Sequence, residues 1–279
     1  MSVFRQKVAV ITGAASGIGL SLSRLLAEKG AIVVMTDLAH EKLEASASQL
    51  RKEGHTIHAH PLNVVHEAAT KALMHRLVEE LGQIDYLFNN AGIGIGGEAR
   101  DFSSKEWNQV IDVNLRGTIN GILAVYPLML ERKSGHIVNV ASVAGLIPLA
   151  GEISYTASKY AVVGLSHTLR AEAADLGVKV SVVCPGKIET PIYKTSEILR
   201  FDREKVLALW PKGITPEQCA RVILRGVAKN QATIVVTKLA KLLWTLQRCS
   251  PNLMIWLFKK YMRKMREHRL DTTSENENN

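Results

Sequence analysis

Cysteine is scarce in this sequence: only three occur among 279 residues, at Cys184, Cys219 and Cys249. An odd number at wide spacing predicts neither a disulfide framework nor a metal site. Free thiols of this kind are typical of proteins in a reduced intracellular compartment. Cys184 lies in an apolar strand pattern, so we expect it to be a core residue and not a nucleophile.

Long hydrophobic runs are also missing. No apolar stretch of the sequence reaches the ~18 residues that a membrane-spanning helix needs. The residues before Val8 show no signal-peptide pattern of a basic start, a long apolar run and a cleavage site. Together these absences predict a cytoplasmic protein.

Acidic residues are scarce in one part of the chain only. The formal net charge is +9, and nine Lys or Arg lie between Lys238 and Leu270 against a single acid, Glu267. The chain before residue 238 is therefore only weakly basic. This distribution argues against a nucleic-acid-binding body, because such a body carries its own basic face.

Short apolar runs rich in β-branched residues alternate with amphipathic helical patterns. Strands are predicted near 7–12, 31–36, 55–60, 84–89, 136–141, 178–184 and 232–236. Helices are predicted near 17–29, 40–53, 66–81, 104–130, 152–175 and 216–229. This alternation predicts an α/β fold of the Rossmann type, a doubly wound and mostly parallel seven-stranded sheet with helices on both faces.

The chain divides by composition into three parts. No internal repeat or low-complexity linker interrupts residues 1–237, so we expect a single domain there. Residues 238–270 are predicted to be a basic amphipathic extension, with helices near 239–247 and 253–270 separated by Ser250-Pro251. Ser, Asn and Glu enrich residues 271–279, which predicts a disordered tail.

A glycine-rich turn joins the first strand to the first helix. Gly13, Gly17 and Gly19 lie at this junction. Glycines there permit a tight turn and let a pyrophosphate approach the N–H groups at the helix N-terminus. The spacing is Gly-x-x-x-Gly-x-Gly, so the strand and helix around it carry the prediction of a dinucleotide site.

Asp37 follows the second strand, eighteen residues after Gly19. A carboxylate at this place accepts hydrogen bonds from the adenosine ribose and repels a 2′-phosphate. Neither Ser16 nor Leu38 supplies a cation that would bind such a phosphate. NAD is therefore favoured over NADP, although a helix-capping or turn role for Asp37 competes with this interpretation.

Tyr155 and Lys159 stand four residues apart on a predicted helix, so their side chains share a face. Such a pair alone is common. Here Ser142 precedes Tyr155 by thirteen residues, and Asn89-Asn90-Ala91-Gly92 ends the fourth strand. Small residues at a strand's carboxyl end suit the ligand crevice of an open sheet, though a simple turn would also contain them.

In this order the motifs resemble the short-chain dehydrogenase/reductase family over about residues 5–236. The resemblance rests jointly on Thr12 to Gly19, Asp37, Asn89 to Gly92, Asn114, Ser142, Tyr155, Lys159 and Pro185-Gly186. It implies that Tyr155 is a general acid/base, that Lys159 lowers the tyrosine pKa and binds the nicotinamide ribose, and that Ser142 positions the substrate oxygen. Asn114 would anchor a water and proton path to Lys159; a helix-kink role is compatible with this.

The resemblance also implies a cofactor site of many residues. Asn63-Val64 matches the position beside adenine, and the segment from Pro185 to Thr190 matches the one that holds the nicotinamide carboxamide. The expected cofactor-binding residues are Gly13, Ser16, Gly17, Ile18, Gly19, Asp37, Leu38, Asn63, Val64, Asn90, Ala91, Gly92, Val113, Tyr155, Lys159, Pro185, Gly186, Ile188 and Thr190. No metal is expected.

The substrate is expected to be a hydrophobic alcohol or ketone such as a steroid, a retinoid or a lipid-like molecule. Residues 143–153 and 191–212 should flank it, and they share an apolar bias carried by Leu146, Ile147, Leu149, Tyr193, Ile198, Leu199, Leu207, Leu209 and Trp210. The same residues could instead pack a lid.

Three alternatives remain for the extension. Met254, Phe258, Tyr261 and Met265 form one apolar stripe beside many basic residues. Such a helix is a candidate for contact with an anionic membrane surface, for packing on a partner subunit, or for a lid over the pocket. The resemblance to the family also implies a homodimer or homotetramer, in which subunits pair through the long helices near 104–130 and 152–175.

Two classes of function compete with an NAD-dependent enzyme. One is an NADP-dependent carbonyl reductase. The other is a non-catalytic nucleotide-binding sensor or a scaffold organised by the extension. A sensor would be expected to lose Tyr155, Lys159 or Ser142, and all three are present.

Overall fold

The sheet is built from the apolar runs of the sequence. The computed structural model describes residues 2–192 and 196–270. Its strands are β1 (Val8–Thr12), β2 (Ile32–Asp37), β3 (Ile57–Pro61), β4 (Tyr86–Asn89), β6 (Gly135–Val140), β7 (Val178–Cys184) and β9 (Thr233–Val235), all parallel in the order β3-β2-β1-β4-β6-β7-β9. The predicted seven-stranded Rossmann-type sheet is confirmed.

Helices cover both faces of this sheet. They are α1 (Gly17–Glu28), α2 (His40–Lys52), α3 (Glu67–Leu81), α4 (Ser104–Ile111), α5 (Gly117–Glu131), α6 (Ile153–Glu172), α7 (Arg203–Ala208), α8 (Pro216–Ala228), α9 (Lys238–Cys249) and α10 (Pro251–Arg266). Alternate residues of each strand point to opposite faces. Thus Ala9 and Ile11 belong to the core under α1, α2 and α8, while Val8 and Val10 belong to the core under α3 and α5.

Three details depart from the predicted elements. A π-helical turn, Asp112–Arg116, separates α4 from α5 where one continuous helix over 104–130 was predicted. The strand pair β5 (Ile95–Gly96) and β8 (Glu197–Ile198) and the short helix α7 were not predicted. The last helix begins at Pro251 and ends at Arg266, not at 253 and 270.

The C-terminal helices pack on the body of the protein. The predicted stripe on α10 is present, with Met254 and Met265 fully buried. Met254 joins the core that includes Val143 and Ile147, and Met265 packs with Phe201. Because this stripe is covered by the chain itself, it cannot also lie on a membrane, and the lid alternative fits the packing.

No helix within residues 2–192 and 196–270 has both the length and the apolar character needed to cross a bilayer. The predicted disordered tail, 271–279, and Tyr193 lie outside the described residues.

Candidate active site

The turn between β1 and α1 has the backbone of an anion cradle. Gly13 and Gly17 have φ values of +66° and +56°, which favour glycine. A Cβ on Gly19 would lie 2.1 Å from the carbonyl oxygen of Gly13. Gly19 therefore lets α1 pack against the turn, while Gly13 and Gly17 shape its open side.

Asp37 ties the end of β2 to this turn. Its carboxylate accepts hydrogen bonds from the backbone N–H of Ala15 and of Ala39, both at 3.0 Å. The turn role considered from the sequence is thus present, and Asp37 also borders the cleft. Leu38 beside it is 72% exposed, which leaves an apolar and accessible wall there.

The carboxyl end of β4 is held against β1 by the Asn90 side-chain amide and the Thr12 hydroxyl. Asn90 donates to the carbonyl oxygens of Thr12 and Gly13, at 2.9 and 3.1 Å. The backbone N–H groups of Asn90 and Ala91 both donate to the Thr12 hydroxyl at 3.0 Å. These bonds fix the floor of the cleft at the point where the strand order reverses, which is where open α/β sheets bind ligands.

Asn114 lies in the π-helical turn and is fully buried. Its side chain accepts from the N–H of Ile93 at 2.8 Å and donates to the Ile93 carbonyl and to the Ser158 hydroxyl, at 3.0 and 3.1 Å. A Cβ built on Gly92 would lie 3.2 Å from Asn114 Oδ1 and 3.3 Å from Lys159 Nζ. The amide oxygen and the ammonium therefore face the same small space beside Gly92.

Ser142, Tyr155 and Lys159 meet where β6 and α6 approach. Lys159 is 3% exposed, and its ammonium donates to the carbonyl of Val140 at 3.0 Å. The same ammonium lies 5.5 Å from the centre of the Tyr155 ring. Ser142 borders the same cleft as Tyr155, and its hydroxyl accepts the N–H of Ala144 at 3.1 Å. The helical spacing and the strand end thus bring all three polar groups together.

Burial dominates the ionisation of this cluster. Burial lowers the pKa of Lys159 from 10.5 to about 8. Burial also raises the pKa of Tyr155 above its ordinary value of 10, the carboxylate of Glu152 raises it further, and the hydrogen bond with Ser142 opposes these effects. The pKa of Tyr155 in the protein alone is therefore raised on balance, because desolvation outweighs the hydrogen bond that opposes it. The lowering of this pKa by Lys159 stays a prediction.

The predicted residues share one cleft of about 490 Å³. Only Gly19 and Asn114 lie behind its wall; the residues that border it are Gly13, Ser16, Gly17, Ile18, Asp37, Leu38, Asn63, Val64, Asn90, Ala91, Gly92, Val113, Ser142, Tyr155, Lys159, Pro185, Gly186, Ile188 and Thr190. Of the residues expected around the substrate, Leu149, Ile198, Leu207 and Trp210 border the cleft. Leu146 is a core residue instead.

Sequence reasoning gave no individual role in the site to Glu152, Tyr261 and Met265, which border the cleft. Glu152 precedes Tyr155 by one helical turn, and burial raises its pKa from 4.5 to about 7. Glu152 and Tyr155 are three residues apart, a spacing that places them on the same side of a helix and could have identified Glu152. Tyr261 and Met265 come from α10, more than a hundred residues later, and border the same cleft. Their helical periodicity shows an apolar stripe but does not show what covers it.

Known proteins resemble this chain over most of its length. The family model for short chain dehydrogenase matches residues 7–198. The 3-oxoacyl-(acyl-carrier-protein) reductase FabG of Thermotoga maritima is 37% identical over 220 residues, which cover 78% of this chain and 89% of the relative. The putative oxidoreductase SadH of Mycobacterium tuberculosis is 35% identical over 254 residues, 89% of this chain and 92% of the relative.

Solved structures agree with this resemblance. A short chain dehydrogenase/reductase from Burkholderia phymatum in complex with NAD superimposes with a TM-score of 0.83 at 30% identity, covering 91% of this chain and 96% of that one. An NAD-bound xylitol dehydrogenase gives a TM-score of 0.76 at 26% identity, covering 84% and 97% of the two chains.

Proposed function

The chain belongs to the short-chain dehydrogenase family of oxidoreductases, and on that premise we propose that it interconverts a hydroxyl and a carbonyl group on a hydrophobic substrate with NAD. The observation that carries this proposal is the meeting of Ser142, Tyr155 and Lys159 in the cleft that the glycine turn borders. An acid/base group beside a nucleotide cradle is the arrangement that hydride transfer requires.

The cleft suits a dinucleotide. Gly13 and Gly17 leave room for a pyrophosphate at the start of α1, and Asp37 stands where ribose hydroxyls would donate. We assign the adenine end to Asn63 and Val64, and the carboxamide end to the cleft-lining residues between Pro185 and Thr190. A bound nicotinamide supplies the hydride acceptor; the remaining functions fall to this chain's side chains.

Tyr155 exchanges the proton. In oxidation the substrate hydroxyl gives its proton to the Tyr155 phenolate while its carbon gives up a hydride, so that one C=O bond forms and two electrons leave. Ser142 donates a hydrogen bond to the substrate oxygen. The Lys159 cation favours the phenolate and, with Asn114 facing the same space beside Gly92, conducts the proton onward.

NAD is proposed over NADP because the described cleft residues near Asp37 are Ser16 and Leu38, neither of which is a cation. The curated relative FabG is named as a reductase, which keeps an NADP-dependent carbonyl reductase as the second candidate. A non-catalytic sensor is disfavoured because the proposed acid/base cluster is intact.

The decisive assay measures NADH formation with a panel of lipophilic alcohols for wild type and Tyr155→Phe. Phenylalanine keeps the ring but removes the proton-transferring oxygen, so we expect kcat to fall about a hundred- to ten-thousandfold. NAD binding, measured by calorimetry, should remain. Binding of NAD with no turnover of any alcohol or ketone would instead support the sensor.

We also propose two surface contacts. The outer faces of α5 and α6 expose Ile119, Leu123, Ile153 and Tyr160, and we assign these faces to a homodimer or homotetramer interface.

The outer face of α9 and α10 exposes Leu242, Ile255 and Trp256 among basic residues, and we assign it to peripheral contact between a cytoplasmic protein and an anionic lipid surface. Flotation with anionic vesicles, compared for wild type and Trp256→Glu, tests this contact. Equal flotation of both proteins would contradict it.

A further inference from the structure

A second cavity of about 260 Å³ lies beside the catalytic cleft. We call it the tail chamber. Apolar side chains dominate its wall, including Ile147 after β6, Leu243 on α9, and Met254, Leu257 and Phe258 on α10. Two polar residues, Thr237 and Lys187, also border it. The Thr237 hydroxyl is already engaged, because it accepts the N–H of Ala240 at the start of α9.

The tail chamber and the cleft have a common wall. Leu149, Trp210 and Tyr261 border both cavities. Trp210 Nε1 donates to the Tyr261 hydroxyl at 3.0 Å, and the two rings meet edge-on with centroids 5.7 Å apart. Because the Trp210 N–H has its acceptor within the wall, it needs no polar partner from a ligand, and an apolar group can lie against it.

Polar and apolar surfaces are separated between the two cavities. Ser142, Glu152, Tyr155 and Lys159 lie on the cleft side. The chamber side includes side chains of α9 and α10, the C-terminal helices, which extend beyond the residues that the family model matches, 7–198. A molecule complementary to both cavities has a polar reacting end and an apolar remainder.

We propose that the substrate carries a linear alkyl chain, with its reacting carbon at Tyr155 and its chain running past Trp210 and Tyr261 into the tail chamber. This inference rests on the proposed dehydrogenase function and narrows its substrate class. A flexible chain can occupy two cavities that meet along a shared wall, whereas a rigid fused-ring system would fill one of them. The C-terminal helices thereby determine substrate specificity.

A chain-length series tests the proposal. For 2-alkanols from 2-butanol to 2-decanol, kcat/KM should rise by about three- to fourfold for each methylene that enters the chamber. Leu243→Trp and Leu257→Trp fill the chamber from two different helices. In both variants the ratio of kcat/KM for 2-decanol to that for 2-butanol should fall at least about tenfold, since several buried methylenes are lost.

Matched controls place the same bulk outside the chamber. Leu242 and Ile255 are 55% and 58% exposed on the same two helices. Leu242→Trp and Ile255→Trp should keep the wild-type ratio. An equal fall of the ratio in filling and control variants would overturn the proposal, as would a series in which kcat/KM does not depend on chain length.

Calorimetric binding of 2-decanol and 2-butanol to the full chain separates this inference from the proposed function. Tighter binding of 2-decanol to wild type than to Leu243→Trp supports the chamber, even if no alcohol is oxidised. The absence of oxidation would count against the proposed dehydrogenase function and not against the chamber. Equal binding of 2-decanol to both proteins would overturn the chamber even if oxidation is observed.

Discussion

Asp37 combines two functions at the residue scale. Its oxygens accept the N–H groups of Ala15 and Ala39, and its charge is the feature that we expect to select NAD over NADP. An amide at this position loses the charge and keeps one acceptor oxygen, so Asp37→Asn removes the selecting charge while retaining one of the two turn hydrogen bonds.

We therefore predict that Asp37→Asn lowers the ratio of kcat/KM with NAD to that with NADP by about ten- to a hundredfold. A hydrogen bond to a charged group contributes about 1.5–3 kcal/mol, and about 1.4 kcal/mol corresponds to a factor of ten. Initial rates with both cofactors give the ratio. Thermal unfolding is the control, since a variant that lost the turn would melt earlier. A wild type that already prefers NADP would contradict the assignment.

Glu152 introduces a pH dependence close to Tyr155. Its pKa is about 7 because desolvation penalises the charged carboxylate, and its ionised form raises the pKa of Tyr155. Above pH 7 the carboxylate thus opposes formation of the phenolate that alcohol oxidation uses. We predict that Glu152→Gln moves the rise of kcat/KM for alcohol oxidation to lower pH, because that opposing charge is removed.

The measurement is a pH profile of kcat/KM for wild type and Glu152→Gln, with Glu131→Gln at the exposed end of α5 as the matched control. A second readout is stability. The folded protein holds a proton on Glu152 that the unfolded chain releases from pH 4.5 upward, so the stability gained from this proton is lost as pH rises towards about 7. Superimposable profiles for wild type and Glu152→Gln would contradict the electrostatic coupling.

At the scale of elements, ion pairs at the C-terminal end of α10 and just after it hold this helix over the cleft. Arg269 donates to both carboxylate oxygens of Asp101 and to Glu98, while Arg266 pairs with the other oxygen of Glu98. The side chains of Glu98 and Asp101 are only 8% and 6% exposed. Hydrogen bonding from Arg269 holds the pKa of Asp101 below its ordinary value.

We predict that Arg269→Met lowers the free energy of unfolding by about 1–3 kcal/mol, because it leaves a nearly buried carboxylate without its cation. Urea denaturation at neutral pH measures the change. Arg221→Met removes a matched pair with Glu217 on α8 that is more than half exposed, and it should change stability by less than about 0.5 kcal/mol. The difference between the variants should shrink at low pH, as Asp101 is protonated. Equal free energies of unfolding for Arg269→Met and Arg221→Met would show that the Arg269 ion pairs do not stabilise the position of α10.

Elements with strong local patterns were predictable from the sequence. The predicted strand 178–184 coincides with β7 because a strand buried along most of its length reads as a largely apolar run, interrupted here by Lys179 and Ser181. The two-residue strands β5 and β8 are too short to show any periodicity. The π-helical turn at Asn114 was missed because the helical pattern of the sequence continues through it. The hydrogen bonds that hold this turn join Asn114 to Ile93, and no local pattern predicts that contact.

The candidate site also has features that the sequence pattern predicts and features that depend on contacts between distant residues. Gly13, Asp37, Tyr155 and Lys159 could be placed together because the carboxyl ends of parallel strands meet at one edge of the sheet. The raised pKa of Tyr155 could not be predicted, since it depends on burial and on Glu152. Nor could the contribution of Tyr261, because an amphipathic stripe does not identify the surface that it covers.

At the scale of the whole molecule, the surfaces of α5 and α6 remain to be explained. Ile119 and Leu123 on α5 are 38% and 54% exposed, and Ile153 and Tyr160 on α6 are 39% and 41% exposed. Each pair lies on one face of its helix, at spacings of four and seven residues. Apolar residues exposed together on neighbouring long helices are typical of an interface between subunits.

We predict that Leu123→Arg weakens self-association at least about tenfold, because a charge at the centre of an apolar interface would be buried without a partner. Light scattering coupled to size exclusion measures the mass over a dilution series. Leu242→Arg on α9 is the matched control, since Leu242 is 55% exposed but belongs to the C-terminal pair of helices and not to α5 or α6. It should leave the mass unchanged. A wild type that is monomeric at every concentration, or a control that dissociates as readily as Leu123→Arg, would show that these faces do not hold the subunits together.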